Sequence, residues 1–185
     1  AFLNGFLRTF ENLLENVRLY DLTSLQKDAN SKHGFTAEQT LAIAQKLYEA
    51  KLITYPRTGS RYISEDVFAE IPKLLQTLKN RPVWSLYALS IKKPTRRSVD
   101  GSKVTDHHAI IITGELPKYM SNEDMTIYDM IVGRMLEAFS EKCIKDVTQV
   151  TADCCGITFT AKGSVIKKEG PKSLILNSKF LINYG

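Results

Sequence analysis

The 185-residue sequence predicts an α+β fold that is mainly α. Two capping-box patterns introduce amphipathic helices in the first third of the chain, and another strongly amphipathic helix is predicted after Ser121. After Asp146 the apolar residues alternate with polar ones, which is typical of strands. Because 43% of the residues are hydrophobic and 24% are charged, the chain can bury a sizeable core.

The composition excludes several classes of protein. No run approaches the about 18 apolar residues of a membrane-spanning helix, so we expect no membrane partner. The three cysteines lack Cys-x-x-Cys spacing, which argues against a disulfide scaffold or a zinc site and favours a reducing compartment. The net charge of +5 permits a polyanionic partner without requiring one. The chain starts with Ala1 and shows no signal peptide, so we expect a piece of a longer protein.

The first elements are predicted from periodicity and capping. Residues 1–14 carry apolar side chains at helical spacing, so a helix that packs on the core is expected there. Residues 23–26 read Thr-Ser-Leu-Gln, a capping box for a helix that ends at Gly34. A second box at residues 36–39 opens a helix that continues to about Lys51, and its apolar face includes Tyr48.

A short β-branched run follows at residues 52–55 and is closed by Pro56, which predicts a strand that ends in a loop. Helix, short turn, helix and strand in this order predict a winged helix-turn-helix. A third helix is predicted from Ser64, with Pro72 restarting or kinking it. Residues 80–104 are rich in basic residues and turn signals, and we interpret them as a basic loop or ribbon.

The last two elements are a helix and a hairpin. Ser121 and Asp124 cap the helix that runs to Phe139. The alternating segments on either side of Gly156 predict a β-hairpin.

The segment most informative about chemistry is residues 52–64. Tyr55 ends the predicted strand and Arg57 lies two residues on, so extended backbone would place both side chains on one side. A phenol with a pKa near ~10 is a poor nucleophile unless a cation stabilises the phenolate or a base takes its proton. Arg57 could supply that cation and hold a phosphate, with hydroxyl donors from Thr58 and Ser60. From these residues alone, an ordinary surface loop is the commoner explanation.

A family resemblance changes this interpretation. Residues 53–62 resemble the active-site segment of type IA DNA topoisomerases, and Pro56 resembles the topoisomerase III branch of that family. Further segments resemble the same family in the same order, namely residues 19–26, 42–48, 106–111 and 127–139. Two positions depart from the family pattern: Gly59 stands where most members have Asp, and Ile112 stands where they usually have Pro.

The resemblance implies a reaction. In that family a tyrosine attacks a single DNA strand, forms a 5′-phosphotyrosyl link and frees a 3′-OH; the other strand passes through the gap before resealing. By resemblance Tyr55 is the nucleophile, Arg57 stabilises the scissile phosphate, and His107 contacts the phosphate or assists proton movement. By the same resemblance, His108 would support His107 from the side away from the phosphate. Because one phosphodiester replaces another, no ATP is required, and the sequence has no Walker-type loop.

The resemblance also implies a domain organisation. Residues 23–139 would form the active-site tyrosine domain, with a winged-helix (CAP-like) fold; residues 1–22 and 140–185 would belong to a β-rich arch domain. The sequence has no Asp-x-Asp, so Mg2+ would be bound outside this segment by the remaining domains of the parent chain. We therefore expect the segment alone to be inactive. The location would be the cytoplasm, at the nucleoid if the source is bacterial.

The expected partner is single-stranded DNA. Residues predicted to bind it, besides the three catalytic candidates, are Thr58, Ser60, Arg61, His108, Lys92, Lys93, Arg96 and Arg97. A solvated loop explains the last four at least as well as phosphate contacts do.

Other functions stay open from sequence alone. A winged-helix DNA-binding module without catalysis explains the helices and charge but gives no role to Tyr55 and His107. A tyrosine recombinase requires His-x-x-Arg, which none of the three histidines has. A structural interaction module is a third alternative.

Overall fold

The computed structural model describes residues 6–13, 17–79, 82–141, 144–154 and 157–168. The chain forms two compact units, a helical unit of residues 16–140 and a sheet unit of residues 1–15 and 141–185. The sequence-based boundaries lay after residues 22 and 139. The first of these differs from the structure because Leu19 and Tyr20 are buried in the core of the helical unit.

The described part of the helical unit contains five α-helices and a short 3-10 turn at Gly101–Lys103. The helices are α1 Leu22–His33, α2 Ala37–Glu49, α3 Glu65–Leu78, α4 Pro82–Ser90 and α5 Asn122–Phe139. None of the helices in the described residues is long and apolar enough to cross a membrane.

Helix α1 begins two residues earlier than its predicted capping box. Asp21 is the N-cap, and it exchanges hydrogen bonds with Ser24, which makes these two residues the capping box. The assignment to residues 23–26 was therefore wrong, because an aspartate two positions upstream already accepts the backbone N–H of Ser24. The predicted end is confirmed: Gly34 adopts a left-handed conformation with φ 75° and donates to the carbonyl of Asn30.

Helix α2 has the predicted capping box between Thr36 and Gln39. It ends in a Schellman motif: the N–H of Leu52 donates to the carbonyl of Leu47, and that of Lys51 donates to the carbonyl of Tyr48. Lys51 has a φ of 59°, a left-handed conformation in which glycine is usual.

The predicted strand at residues 52–55 is shorter than expected. It consists of one isolated antiparallel bridge between Ile53 and Ile112. Within the described part of the helical unit, an isolated antiparallel bridge also joins Tyr20 to Ile110, and an isolated parallel bridge joins Ile63 to Val99.

Helices α3 and α4 differ from expectation in two ways. Helix α3 starts after Ser64 as predicted, but it runs continuously across Pro72, so a restart there was wrong. The predicted basic loop at residues 80–104 contains helix α4 at Pro82–Ser90. Burial of Trp84 and Tyr87 explains this helix, and the Trp84 indole donates to Asp129 on α5 at 3.1 Å.

Helix α5 begins at the predicted cap, where the Ser121 hydroxyl accepts from the backbone N–H of Asp124. It packs against α1 and α2, and its buried residues supply much of the core of this unit. These residues include Ile127, Tyr128, Ile131, Val132, Met135, Leu136 and Phe139.

The sheet unit contains an antiparallel sheet in the order β1-β2-β3, formed by β1 Phe6–Leu13, β2 Ile144–Cys154 and β3 Ile157–Lys168. The predicted helix at residues 1–14 was therefore wrong. Backbone pairing of Phe6 with Thr151 through Leu13 with Ile144 overrides the helical spacing, in a segment whose aromatic residues also favour strands. The predicted hairpin is confirmed by the pairing of β2 with β3; its turn at residues 155–156 lies outside the described residues.

The mainly α prediction is confirmed for the helical unit. The winged-helix detail stays a prediction.

Candidate active site

The centre of the candidate site is a contact between two rings from separate segments of the helical unit. The ring centroids of Tyr55 and His107 lie 4.5 Å apart, with an interplanar angle of 53°. Tyr55 is half-buried, whereas His107 is exposed. The structure thus brings the predicted nucleophile and the predicted histidine together on the surface.

Threonine hydroxyls on both sides of Tyr55 explain this contact. The Thr58 hydroxyl donates to the carbonyl of His107 at 2.8 Å. The Thr54 hydroxyl donates to the carbonyl of Ala109 at 3.2 Å and accepts from the N–H of Ile111 at 3.0 Å. The loop that carries Tyr55 is therefore hydrogen-bonded to the segment that carries His107 on both sides of the tyrosine, through Thr54 and through Thr58.

Ser60 continues the same pattern of bonds. Its hydroxyl donates to the carbonyl of Lys103 at 2.8 Å, and its N–H donates to the Thr58 hydroxyl at 3.1 Å. Thr58 and Ser60 are 7% and 4% exposed. Their hydroxyls position the loop, a role that sequence reasoning missed because a loop hydroxyl serves phosphate and backbone equally well. Their contact with DNA stays a prediction.

Arg57 is exposed, and the backbone turns at this residue, because the N–H of Thr58 donates to the carbonyl of Pro56 at 3.0 Å. The extended backbone expected at Arg57 is therefore replaced by a turn, and the placement of its side chain on the same side as Tyr55 stays a prediction. Among the described residues, Arg57 forms no ion pair and no ring contact with Tyr55 or His107. Its guanidinium is free to take an anionic ligand.

The two departures from the family pattern are accommodated. A Cβ at Gly59 would meet no atom within 4 Å, so the position accepts a side chain. The bridge between Ile53 and Ile112 uses the N–H groups of Thr54 and Thr113 rather than that of Ile112. A proline at position 112 would lose no bond of this bridge.

Two further predicted DNA contacts lie close to the site. The Arg61 side chain donates through Nε to the carbonyl of Leu19 at 3.3 Å. His108 is half-buried, and its Nδ1 donates to the carbonyl of Ala109 at 2.7 Å in the tautomer that protonates Nδ1. Both side chains thus hold backbone in this structure, and their role toward DNA stays a prediction.

The basic cluster at residues 92–97 divides into two pairs. Lys92 and Lys93 are exposed. Arg96 pairs with Glu65 and stacks over Phe68 at 4.8 Å.

Arg97 binds the end of helix α5, where it donates to the carbonyls of Ser140 and, at 3.4 Å, Glu137. Burial lowers the pKa of Arg97 from its ordinary value. Its position supplies a cation to the negative end of the helix, a role that its sequence position did not reveal.

Tyr48 is a site residue that sequence reasoning assigned to the core. Its ring meets that of Tyr55 edge-on, with the centroids 5.2 Å apart, and 39% of the residue is exposed. Tyr48 and Tyr55 line a groove of about 500 Å³ together with Glu49, Lys51, Ile53, Thr54 and Thr113. The sequence signal that could have identified Tyr48 is its position on α2. It directly follows the buried Leu47 and therefore lies at the edge of the buried face rather than within it.

A polar network of Tyr20, Asp28 and Arg134 joins helices α1 and α5. The Tyr20 hydroxyl donates to Asp28 at 2.7 Å, and Arg134 pairs with the same carboxylate at 2.5 Å while lying 4.3 Å from the Tyr20 ring centroid. Burial raises the pKa of Tyr20. Burial also acts to raise the pKa of Asp28, but hydrogen bonds from Tyr20 and Lys32 and the charge of Arg134 outweigh it and lower the pKa.

The magnesium ion implied by the resemblance has no fitting site among the residues described. They include no group of three or more His, Cys, Asp or Glu side chains placed to hold a metal.

The chain is similar to known DNA topoisomerases. A family model described as DNA topoisomerase matches residues 7–179. DNA topoisomerase 3 of Bacillus subtilis strain 168 is 40% identical over 163 residues, which cover 84% of this chain and 22% of the relative. DNA topoisomerase 3 of Bacillus cereus strain ATCC 14579 is 39% identical over 165 residues, covering 86% of this chain and 23% of the relative.

Among solved structures, full-length topoisomerase I from Thermotoga maritima matches with a TM-score of 0.60 at 21% identity, covering 98% of this chain and 29% of that one. At this level of sequence identity, the match shows similarity of fold alone. The chain belongs to the DNA topoisomerase family, and its resemblance to the type IA enzymes is confirmed. It spans about a fifth of the length of the curated relatives that it matches.

Proposed function

We propose that this chain is the tyrosine-bearing segment of a type IA DNA topoisomerase and that Tyr55 is its nucleophile. The observation that carries the proposal is the contact of Tyr55 with His107, held by the hydroxyls of Thr54 and Thr58. The contact places an imidazole that can donate to a phosphate or accept a proton directly beside the phenol.

The reaction follows from these groups. The Tyr55 oxygen attacks a backbone phosphorus, an O–P bond to tyrosine forms, and the bond between phosphorus and the 3′ oxygen breaks. The phenolic proton leaves and the 3′ oxygen gains a proton, which yields a 5′-phosphotyrosyl link and a free 3′-OH. Reversal of the same step reseals the strand without ATP, because one phosphodiester has replaced another.

His107 and Arg57 would stabilise this step. Negative charge grows on the phosphate oxygens during the attack, and preorganised donors aimed at that charge lower the barrier. His107 lies against the Tyr55 ring and would donate to the phosphate or carry the proton. Arg57 is exposed and unpaired among the described residues, and it would swing onto the phosphate when DNA binds.

The remaining assignments concern the longer protein. We propose that other domains of the parent chain supply carboxylates for Mg2+, so that this segment alone neither relaxes DNA nor cleaves it. We also propose a winged-helix-like arrangement for the helical unit, strand passage through the gap that Tyr55 opens, and action in the cytoplasm, at the nucleoid of a bacterial cell.

The test is covalent trapping of single-stranded DNA by the full-length parent protein. The wild type should yield a protein–DNA adduct after denaturation, whereas Tyr55→Phe should yield none and still bind the strand, because its ring remains in place. Tyr119→Phe is the matched control, since Tyr119 is 98% exposed and lies outside the Tyr55 groove.

A persistent adduct in Tyr55→Phe would identify a different nucleophile. Strand binding by a wild type that forms no adduct would instead favour the second candidate, a winged-helix DNA-binding module without catalysis. The predicted helix-turn-helix order of α1 and α2 is the observation behind that alternative.

A further inference from the structure

We propose that Tyr48 and Lys51 form a nucleotide-binding subsite beside Tyr55. Tyr48 stacks on a base next to the scissile phosphate, and Lys51 pairs with a neighbouring phosphate of the same strand. This subsite rests on the proposed function of Tyr55 and adds the residues that hold the strand during the reaction.

The exposure of Tyr48 is the first observation. Its helical neighbours Ala44 and Leu47 are 0% and 2% exposed, whereas Tyr48 is 39% exposed at the end of the same helix. Its ring contacts the half-buried Tyr55 edge-on, which leaves part of the Tyr48 ring open to solvent. Aromatic faces of this kind stack on bases without regard to sequence, as a topoisomerase substrate would require.

The position of Lys51 is the second observation. Its φ of 59° is a conformation that side chains other than glycine disfavour. Three bonds hold it there: its N–H donates to Tyr48, the N–H of Leu52 donates to Leu47, and the Thr113 hydroxyl donates to the Lys51 carbonyl at 2.5 Å. This conformation ends helix α2, and it fixes the backbone of Lys51 in the lining of the groove that also contains Tyr48 and Tyr55. For Lys51 that side chain is an exposed cation.

The groove itself determines the occupant. Tyr55 lines it together with Tyr48 and Lys51, so a strand bonded to the Tyr55 oxygen has an aromatic face and a cation beside it. The acidic member of the lining, Glu49, accepts a hydrogen bond from Gln45 at 3.2 Å. An aromatic ring paired with a cation suits a nucleotide of single-stranded DNA, whose base stacks and whose phosphate is negative.

The experiment measures strand affinity in the full-length parent protein carrying Tyr55→Phe, so that cleavage does not alter the DNA. Tyr48→Ala should weaken binding of a single-stranded oligonucleotide by roughly 5- to 100-fold, and Tyr48→Phe should restore it because the stacking ring is kept. Tyr119→Ala, which removes an exposed aromatic ring outside this groove, should have no effect.

An oligonucleotide series identifies the base that Tyr48 contacts. Each member carries one abasic site at a successive position around the cleavage point. At one position the abasic site should weaken binding to the protein with Tyr48 intact but not to Tyr48→Ala, since the stacking partner is already lost. Additive effects at every position would overturn the stacking assignment.

Lys51 is tested through salt dependence. Lys51→Gly should lower the slope of log affinity against log salt by about 0.7, the value for one phosphate contact with a single strand, and Lys51→Arg should keep the slope. Lys73→Ala removes an exposed lysine of helix α3 and should leave the slope unchanged. An unchanged slope in Lys51→Gly would overturn the phosphate assignment.

Adduct formation by the protein with Tyr55 intact separates the two proposals. If the adduct forms and Tyr48→Ala binds like its parent, the subsite alone fails. If the effects of an abasic site and of Tyr48→Ala on binding are non-additive but no adduct forms, the proposed catalysis fails and the contact between Tyr48 and the base stands.

Discussion

Tyr55 and His107 are brought into ring contact by a bond between Thr58 and the backbone of His107. The Thr58 hydroxyl donates to the His107 carbonyl and so holds the two segments together. The ring centroids of Tyr55 and His107 lie 4.5 Å apart. The position of the histidine is thus set by backbone, which leaves its imidazole exposed and free to meet a phosphate.

His107→Ala in the full-length protein should slow DNA cleavage by roughly 100-fold or more, because a positioned proton donor typically contributes that much. Strand affinity should change far less. Single-turnover cleavage measured beside equilibrium binding checks both, and His107→Gln should recover part of the rate if donation to phosphate is the main role. His33→Ala, at the end of α1, is the control; a cleavage rate equal to wild type in His107→Ala would refute the assignment.

Thr58→Val should destabilise the chain by about 1–3 kcal/mol, because it leaves the His107 carbonyl and the Ser60 N–H without their partner in a buried place. The two side chains have similar volumes, so packing is nearly unchanged. Chemical denaturation measures the loss. Thr126→Val, at an exposed hydroxyl on α5, should change stability by less than about 0.5 kcal/mol. Equal effects of the two substitutions would show that the Thr58 bond contributes nothing.

The sequence predicted what local rules decide. The cap at Thr36, the left-handed end at Gly34 and the Ser121 cap each depend on residues within one turn, and all three are confirmed. The helix predicted for the N-terminal segment was wrong because the segment pairs with β2, which lies more than a hundred residues along the chain. Pairing with so distant a strand cannot be read from the local sequence.

The site shows the same division. The motif located Tyr55 and His107, but periodicity placed Tyr48 in the core, since one helical position separates a buried face from its edge. The buried hydroxyls of Thr58 and Ser60 were equally hard to assign, because their acceptors are carbonyls of a distant segment.

The basic cluster should divide by function. Lys92→Ala with Lys93→Ala should weaken single-strand binding and lower its salt slope by up to about 1.4, since two exposed lysines can contact two phosphates. Arg97→Ala should instead lower stability by about 1–3 kcal/mol, because the carbonyls of Ser140 and Glu137 lose their donor. Salt titrations and thermal unfolding of both variants test this; a folded, fully stable Arg97→Ala with reduced DNA binding would reverse the roles.

Gly59→Asp should be tolerated, and it should raise stability by about 0.4–1 kcal/mol. A Cβ at this position meets no atom within 4 Å and the residue does not have a positive φ, so the side chain fits while the unfolded chain loses freedom. Gly34→Asp is the contrasting variant, because Gly34 has a φ of 75° and should lose stability. Thermal unfolding compares them, and destabilisation of Gly59→Asp to the level of Gly34→Asp would contradict the geometry.

The Tyr20–Asp28–Arg134 network should make stability fall in acid. The pKa of Asp28 is lowered in the folded chain from its ordinary value of 3.8, because the hydrogen bonds from Tyr20 and Lys32 and the charge of Arg134 outweigh burial. A group whose folded pKa is depressed adds stability above its unfolded pKa and loses it as the pH falls through the folded pKa. The contribution of Asp28 is therefore complete at pH 7 and declines below about pH 4.

Asp28→Asn should consequently cost about 1–3 kcal/mol at pH 7, where it leaves the largely buried Arg134 without its counter-charge. The cost should be smaller at pH 2, because the stabilisation from the carboxylate charge declines once the pH is below the unfolded pKa of Asp28. Denaturant unfolding at both pH values gives the two differences. Glu70→Gln, at an exposed position of α3, controls for removing one carboxylate. A loss of the same size at pH 7 and pH 2 would mean that Asp28 stabilises the helices through its shape and hydrogen bonds rather than through its charge.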